Sequence, residues 1–271
     1  MKNFVKIEIK TSSPEDEEIL IANLSEIKFY AYEQEENVLI AYIKEEDFDE
    51  EKLKEILADD HNFKKTIIKD ENWNQQWESS LQPVIINDFA AIRASFHNPI
   101  KNVKHELIIT PKMSFGTGHH ATTFLMVELM EEISFQNKTV LDFGTGTAVL
   151  AILAEKLGAS KVIAIDYDEW SIKNALENIE ANNCKKISVE KRSDLEGLPT
   201  VNIIIANINL NVLTEASSSI SGLLKSGSLL LMSGFLSKDE TAMENSFAGK
   251  YFVKRTVLQR EGWLAILLQK L

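Results

Sequence analysis

The chain has 271 residues, 44% of them hydrophobic, a net charge of −12 and a single cysteine, Cys184. That length and apolar content suit two domains with their own cores, and one thiol excludes a disulfide framework and any cysteine-built zinc site. The first residues alternate polar and apolar without an apolar h-region, and no apolar run approaches a membrane span, so the chain is expected to be soluble and cytoplasmic.

In chain order, Val5, Ile7 and Ile9 alternate with Lys6, Glu8 and Lys10, the period of a half-buried strand. Ser13 is placed to cap a helix over residues 14–24, with Pro14 at its first position. Residues 28–34 and 37–43 read as a hairpin. Residues 48–57 read as a second helix with Leu53, Ile56 and Leu57 inward, and residues 63–69 as a closing strand. The order β-α-β-β-α-β is that of a ferredoxin-like module, assigned to residues 1–70. Residues 1–60 hold 7 Lys/Arg against 18 Asp/Glu, a net of −11, so nearly all the excess charge sits there. A well-solvated surface is the plain reading. The sharper one is an acidic face that attracts a basic polypeptide and repels nucleic acid.

Trp73 and Trp77 lie four residues apart and share a helical face, so residues 71–82 are expected to form a helical linker to a domain at 83–271. Residues 83–96 read as β structure, with a turn at Asn98-Pro99. A strand through Ile108 and Ile109 then enters the loop Ser114-Phe115-Gly116-Thr117-Gly118-His119-His120-Ala121-Thr122-Thr123, followed by a helix over 124–132. Hydroxyls and imidazoles at a helix start suit anions and hydroxyls, and Phe115 and Gly116 are expected to touch a bound cofactor. No metal is expected, because the adjacent His119 and His120 do not share a face and no third ligand has suitable spacing.

The chain is organised around residues 139–158. Val140 and Leu141 read as a buried strand that breaks at Asp142-Phe143-Gly144-Thr145-Gly146-Thr147-Ala148 and resumes as a helix stopped by Gly158. A strand, a tight glycine turn and a helix N-terminus make a nucleotide-cofactor cradle. A dinucleotide fingerprint starting at Gly144 would put its third glycine on Val149, which fails. The pattern acidic-x-Gly-x-Gly-x-Gly fits at Asp142, Gly144 and Gly146, with Ala148 in the third glycine's place. The next strand ends on Asp166, 22 residues beyond Gly144, where two carboxylate oxygens can hold both ribose hydroxyls. Asp168 is expected to cap a helix whose stripe is Ile172, Ala175, Leu176 and Ile179. Residues 186–191 form a third strand, after which Asp194 could accept from an adenine amino group. An apolar strand over 201–207 ends on Asn207, whose side-chain oxygen can accept an N–H from an incoming substrate near the switch point. Residues 228–234 supply a fifth strand, 238–247 a helix, and 251–258 with 263–269 a terminal hairpin, for seven strands in all.

The turn at Asp142 resembles motif I of the class I S-adenosylmethionine-dependent methyltransferases. Ser114 to Thr123 is similar to the A-F-G-T-G-T-H-P-T-T signature of the PrmA family, the methyltransferases of ribosomal protein L11. The likeness extends to the Trp73/Trp77 segment and to Ile205-Ala206-Asn207-Ile208. It implies an α/β fold: a Rossmann-like, seven-stranded class I methyltransferase domain preceded by the small ferredoxin-like α+β domain. It also implies S-adenosylmethionine as cofactor, with Thr123, Gly144, Asp166 and Asn207 at its site. The implied reaction is repeated methylation of lysine side chains and an α-amino group on one basic ribosomal protein. The charge and the lack of an apolar span lead to the expectation of no nucleic-acid or membrane binding, and a monomer is expected. His119, Ala121 and Ala148 depart from the family pattern. The acceptor amine must be neutral, so positioning and desolvation, with Asn207 as an orienting acceptor, are expected to carry catalysis without a dedicated base. Three rival readings remain open. A glutamine-specific enzyme is expected to show Asn-Pro-Pro-Tyr in place of Asn207-Ile208-Asn209-Leu210, and an RNA enzyme to carry a basic first domain. A cofactor-binding scaffold without catalysis is the third.

Overall fold

In a computed structural model that describes residues 3–35, 37–57, 62–68, 82–110, 112, 114–247 and 251–271, the chain forms two compact units, Met1–Leu81 and Gln82–Leu271. The expected linker helix with Trp73 and Trp77 lies outside the described residues.

In the first unit the elements run β1 (Phe4–Lys10), α1 (Pro14–Glu26), β2 (Ala31–Glu35), β3 (Val38–Lys44), α2 (Glu50–Leu57) and β4 (Phe63–Ile68). The sheet order is β2-β3-β1-β4, antiparallel throughout, which is the ferredoxin-like arrangement. The alternation on β1 does what its period requires: Val5, Ile7 and Ile9 are buried with Leu39, Ala41 and Ile43 against Leu20, Leu24, Leu53 and Leu57 of the two helices. Ser13 caps α1 by accepting from the Asp16 N–H at 3.2 Å. The second helix starts later than residue 48, because the Asp49 carboxylate accepts the Glu51 and Lys52 N–H groups and sets the start at Glu50.

The second unit opens with β5 (Val84–Ile86), β6 (Ala90–Arg93) and β7 (His105–Ile108), a three-stranded sheet of their own. Arg93 on β6 makes a paired contact to Glu106 on β7 at 2.8 and 3.0 Å, and that guanidinium holds the carboxyl below the usual range. Then come α3 (Ala121–Glu131), β8 (Thr139–Phe143), α4 (Val149–Lys156), β9 (Lys161–Asp166), α5 (Glu169–Ala181), β10 (Ile187–Lys191) and β11 (Val201–Asn207). Two short helices, α6 (Leu210–Glu215) and α7 (Ser217–Leu223), lead to β12 (Leu224–Leu236), and α8 (Glu240–Ser246) precedes the hairpin β13 (Phe252–Arg260) and β14 (Trp263–Lys270). The seven strands order as β10-β9-β8-β11-β12-β14-β13, parallel except for the antiparallel β14, with a buried apolar cluster on each face. This is the expected doubly wound α/β sheet.

Two local expectations change. The helix after the glycine loop begins at Ala121 instead of Phe124, because His120 accepts the Thr122 N–H and caps it there. On α5, Leu176 is 52% exposed, and the buried face is built from Ser171, Asn174, Ala175, Asn178 and Ile179. Ala175 and Ile179 of the expected apolar stripe are buried and Ile172 is half-buried, but the inward face also carries Asn174 and Asn178, which leaves Leu176 outside it.

Candidate active site

A cleft of about 570 Å³ opens at the carboxyl ends of β8, β9, β10 and β11, where the strand order reverses between β8 and β11. Its floor is the glycine turn. The Gly144 and Thr145 N–H groups both donate to the Ile165 carbonyl at 2.9 Å, tying the turn to β9. The Gly146 N–H donates to Asp166 Oδ2 at 2.9 Å, and the Asp168 N–H donates to Asp166 Oδ1 at 3.0 Å. Each oxygen of this buried carboxylate therefore has one amide partner and further acceptor capacity beside the cleft that Asp166 lines.

The glycines of the turn keep two other segments close. A Cβ on Gly144 would run into the Ile208 side chain, and one on Gly146 into the Phe115 carbonyl oxygen. The turn and the loop that ends at His120 are also hydrogen-bonded: the Thr147 N–H donates to Phe115 O at 3.0 Å and the Thr147 hydroxyl to Gly116 O at 2.8 Å. Ala148, in the third glycine's place, takes φ 64 at the cap of α4, so the departure from the motif leaves the left-handed turn intact.

On the other wall, Asn207 ends β11. Its Nδ2 donates to Thr123 Oγ1 at 3.4 Å, which turns the amide, and its Oδ1 is buried without a hydrogen-bond partner. A buried acceptor left unmet is costly unless a ligand meets it.

Of the residues expected from the sequence, Phe115, Gly144, Gly146, Asp166 and Asn207 line this one cleft. Four do not, and each has a structural reason. Asp142 lies beneath the turn, 2% exposed, where it accepts from the Thr145 hydroxyl at 2.6 Å; burial, with the nearby Asp166 charge, pushes its pKa up to about 7. Gly116 makes room for the Thr147 hydroxyl, 2.6 Å from where its Cβ would sit. Thr123 stands behind Asn207, fully buried in the first turn of α3. Asp194 is taken up by Arg192 Nη2 at 2.7 Å and by the Glu196 N–H at 2.9 Å, and the exposed Asp194 side chain is absent from the lining.

The sequence reading did not select His120, Tyr167, Ser171, Arg192 or Trp263 for this cleft, yet all five line it. His120 carries a signal in retrospect, because an imidazole just before a helix can cap it and turn its ring outward. The ring meets Phe115 at 5.2 Å and Trp263 at 4.7 Å, both edge-on. Trp263 has no such signal, since it arrives from the last hairpin. Among the described residues no cluster of His, Cys, Asp or Glu is arranged to hold a metal, and no helix is long and apolar enough to cross a membrane.

A family model described as ribosomal protein L11 methyltransferase (PrmA) matches residues 4–271. A protein of Porphyromonas gingivalis named ribosomal protein L11 methyltransferase is 41% identical over 231 residues, 82% of this chain and 80% of that one. A Bacteroides fragilis protein of the same name is 36% identical over 260 residues, 92% of each chain. Among solved structures, a ribosomal protein L11 methylase from Lactobacillus delbrueckii subsp. bulgaricus aligns with a TM-score of 0.65 at 25% identity, over 70% of this chain and 99% of that one.

Proposed function

Because the chain belongs to the ribosomal protein L11 methyltransferase (PrmA) family, we propose that it transfers methyl groups from S-adenosylmethionine to amine nitrogens of ribosomal protein L11. The observation that carries this reading is Asn207, whose Oδ1 is buried without a partner and which lines a cleft floored by the Gly144–Gly146 turn and Asp166.

The residues present fit this cofactor. Asp166 has acceptor capacity to spare for vicinal ribose hydroxyls, and the glycine turn removes side chains where a nucleoside must approach. The bound cofactor supplies an electrophilic methyl group on a positively charged sulfur. The chain's part is to present a nitrogen lone pair in line with it. A free lysine amine has a pKa of about 10.4, so at neutral pH it must first lose a proton to water. A cleft walled by Phe115, Phe143, Ile208 and Trp263 hydrates a cation poorly and favours the neutral amine. Asn207 Oδ1 accepts one amine N–H and orients the lone pair without adding a charge that would favour the ammonium form, and the bond from its Nδ2 to Thr123 holds the amide in place. Lysine side chains and an α-amino group are the acceptors we assign. Phe115, Gly144, Gly146 and Asp166 are assigned to the cofactor, and Asn207 to cofactor and amine both.

We assign the acidic first unit to holding the basic substrate, residues 71–82 to linking it, and residues 83–271 to catalysis. Incubating the protein with labelled S-adenosylmethionine and purified ribosomal proteins should label L11, with mass spectrometry placing the methyls on amines. Asn207→Ala should lower kcat about ten- to a hundredfold with cofactor affinity changed far less. No label on L11, or a variant with wild-type turnover, overturns the assignment it tests.

A further inference from the structure

We propose that Asn178 is a positioning residue for the cofactor cradle, through hydrogen bonds that join the segment entering the 114–120 loop to the glycine turn on which that loop rests. This rests on the cofactor reading above, and it concerns a residue that does not line the cleft.

Asn178 is fully buried on α5. Its Oδ1 accepts the Thr110 N–H at 2.8 Å, where the chain leaves β7 for the loop. Its Nδ2 donates to the Thr147 carbonyl at 2.9 Å and, more weakly, to Asn174 Oδ1 at 3.3 Å. Thr147 is also the residue whose N–H and hydroxyl hold the Phe115 and Gly116 carbonyls. One amide side chain thus fixes both ends of a short circuit. Thr110 anchors the loop's entry, and Thr147 anchors the turn to which the loop's middle is bonded. The circuit sets Phe115 on one wall of the cleft against Gly146 on the floor, and the Gly146 N–H donates to Asp166.

An amide is the side chain that serves here, because the two backbone groups to be met are one donor and one acceptor. A leucine would meet neither, and an aspartate would set an oxygen against the Thr147 carbonyl. A buried Thr147 carbonyl and a half-buried Thr110 N–H left unmet would cost more than the bonds themselves contribute. The neighbouring asparagine provides an internal comparison. Asn182 grips the same strand, accepting from the Ile108 N–H at 3.0 Å and donating to the Ile108 carbonyl at 2.7 Å, but none of its bonds reaches the glycine turn. If the ladder only braced the strand, the two asparagines would be interchangeable in their effect on the cleft.

The test uses the full chain and S-adenosylhomocysteine, the demethylated form of the cofactor, titrated by calorimetry, with thermal melting alongside. Asn178→Ala and the isosteric Asn178→Asp should each weaken binding at least tenfold. Asn182→Ala should stay within about twofold of the unaltered chain although it also melts earlier. The aspartate variant separates positioning from simple loss of volume and gives a reading if the alanine variant fails to fold. Affinity within twofold of wild type in a folded Asn178 variant overturns the inference, as does an equal loss in Asn182→Ala. Failure of the unaltered chain to bind at all overturns the cofactor reading instead.

Discussion

The two carboxylates at the strand ends, Asp142 and Asp166, differ in environment and so in role. Asp166 lines the cleft and has lone pairs to give, so Asp166→Ala should weaken cofactor binding by about 1–3 kcal/mol, the scale of charge-assisted hydrogen bonds. Calorimetry on the folded variant checks this, and unchanged affinity would remove the ribose assignment. Asp142 is sealed beneath the turn with a pKa near 7, raised chiefly by burial. Because the folded state holds its proton more tightly than the unfolded chain does, Asp142 contributes stability below about pH 4 that is lost as pH rises to about 7. Asp142→Asn, which carries no charge to desolvate, should gain stability relative to wild type across that window, by an amount on the order of a few kcal/mol. Denaturant unfolding of both proteins at pH 4.5 and pH 8 measures it. A constant spacing between the two curves would mean that the Asp142 carboxyl titrates normally.

Among the elements, the glycine turn shows how one motif serves neighbours as well as ligand. Gly144 at φ 76 and Gly146 at φ 53 both adopt left-handed backbone, as Ala148 does at φ 64, so conformation alone does not forbid alanine at either place. The neighbours decide. At Gly144 the obstacle is the Ile208 side chain, which trimming can remove, whereas at Gly146 it is the Phe115 backbone carbonyl, which no substitution removes. Gly144→Ala and Gly146→Ala should both destabilise the fold by about 1–3 kcal/mol. Adding Ile208→Ala should recover part of the first loss and none of the second, and a double-mutant cycle on unfolding free energies reads the difference. Equal coupling in both cycles would show that backbone strain, not contact, sets the requirement. The spacing of these glycines was legible in the sequence because it is local. Their partners were not, because Ile208, just past the end of β11, and Phe115, in the loop before α3, are brought in by distant segments.

At the scale of the whole chain, each unit has its own buried core, and the first holds the excess negative charge without any glycine-rich turn. A fragment beginning at Gln82 should therefore keep its affinity for S-adenosylhomocysteine while losing methylation of L11. In the intact protein, substrate binding should weaken as salt rises, since exposed charges are screened beyond about 10 Å at 0.1 M. Full methylation by the fragment would sink the substrate-holding role. The sequence by itself determined the order of elements, the ferredoxin-like and seven-stranded layouts, and Asp166 and Asn207 at strand ends, because hydrophobic period and glycine spacing are properties of consecutive residues. Only the tertiary structure decided that Asp142, Gly116 and Thr123 support the cleft from behind, that Trp263 joins its wall, and that Asn178 spans from Thr110 to Thr147. Which way a polar side chain turns depends on the donors and acceptors that distant segments bring to it, and those are absent until the sheet has closed.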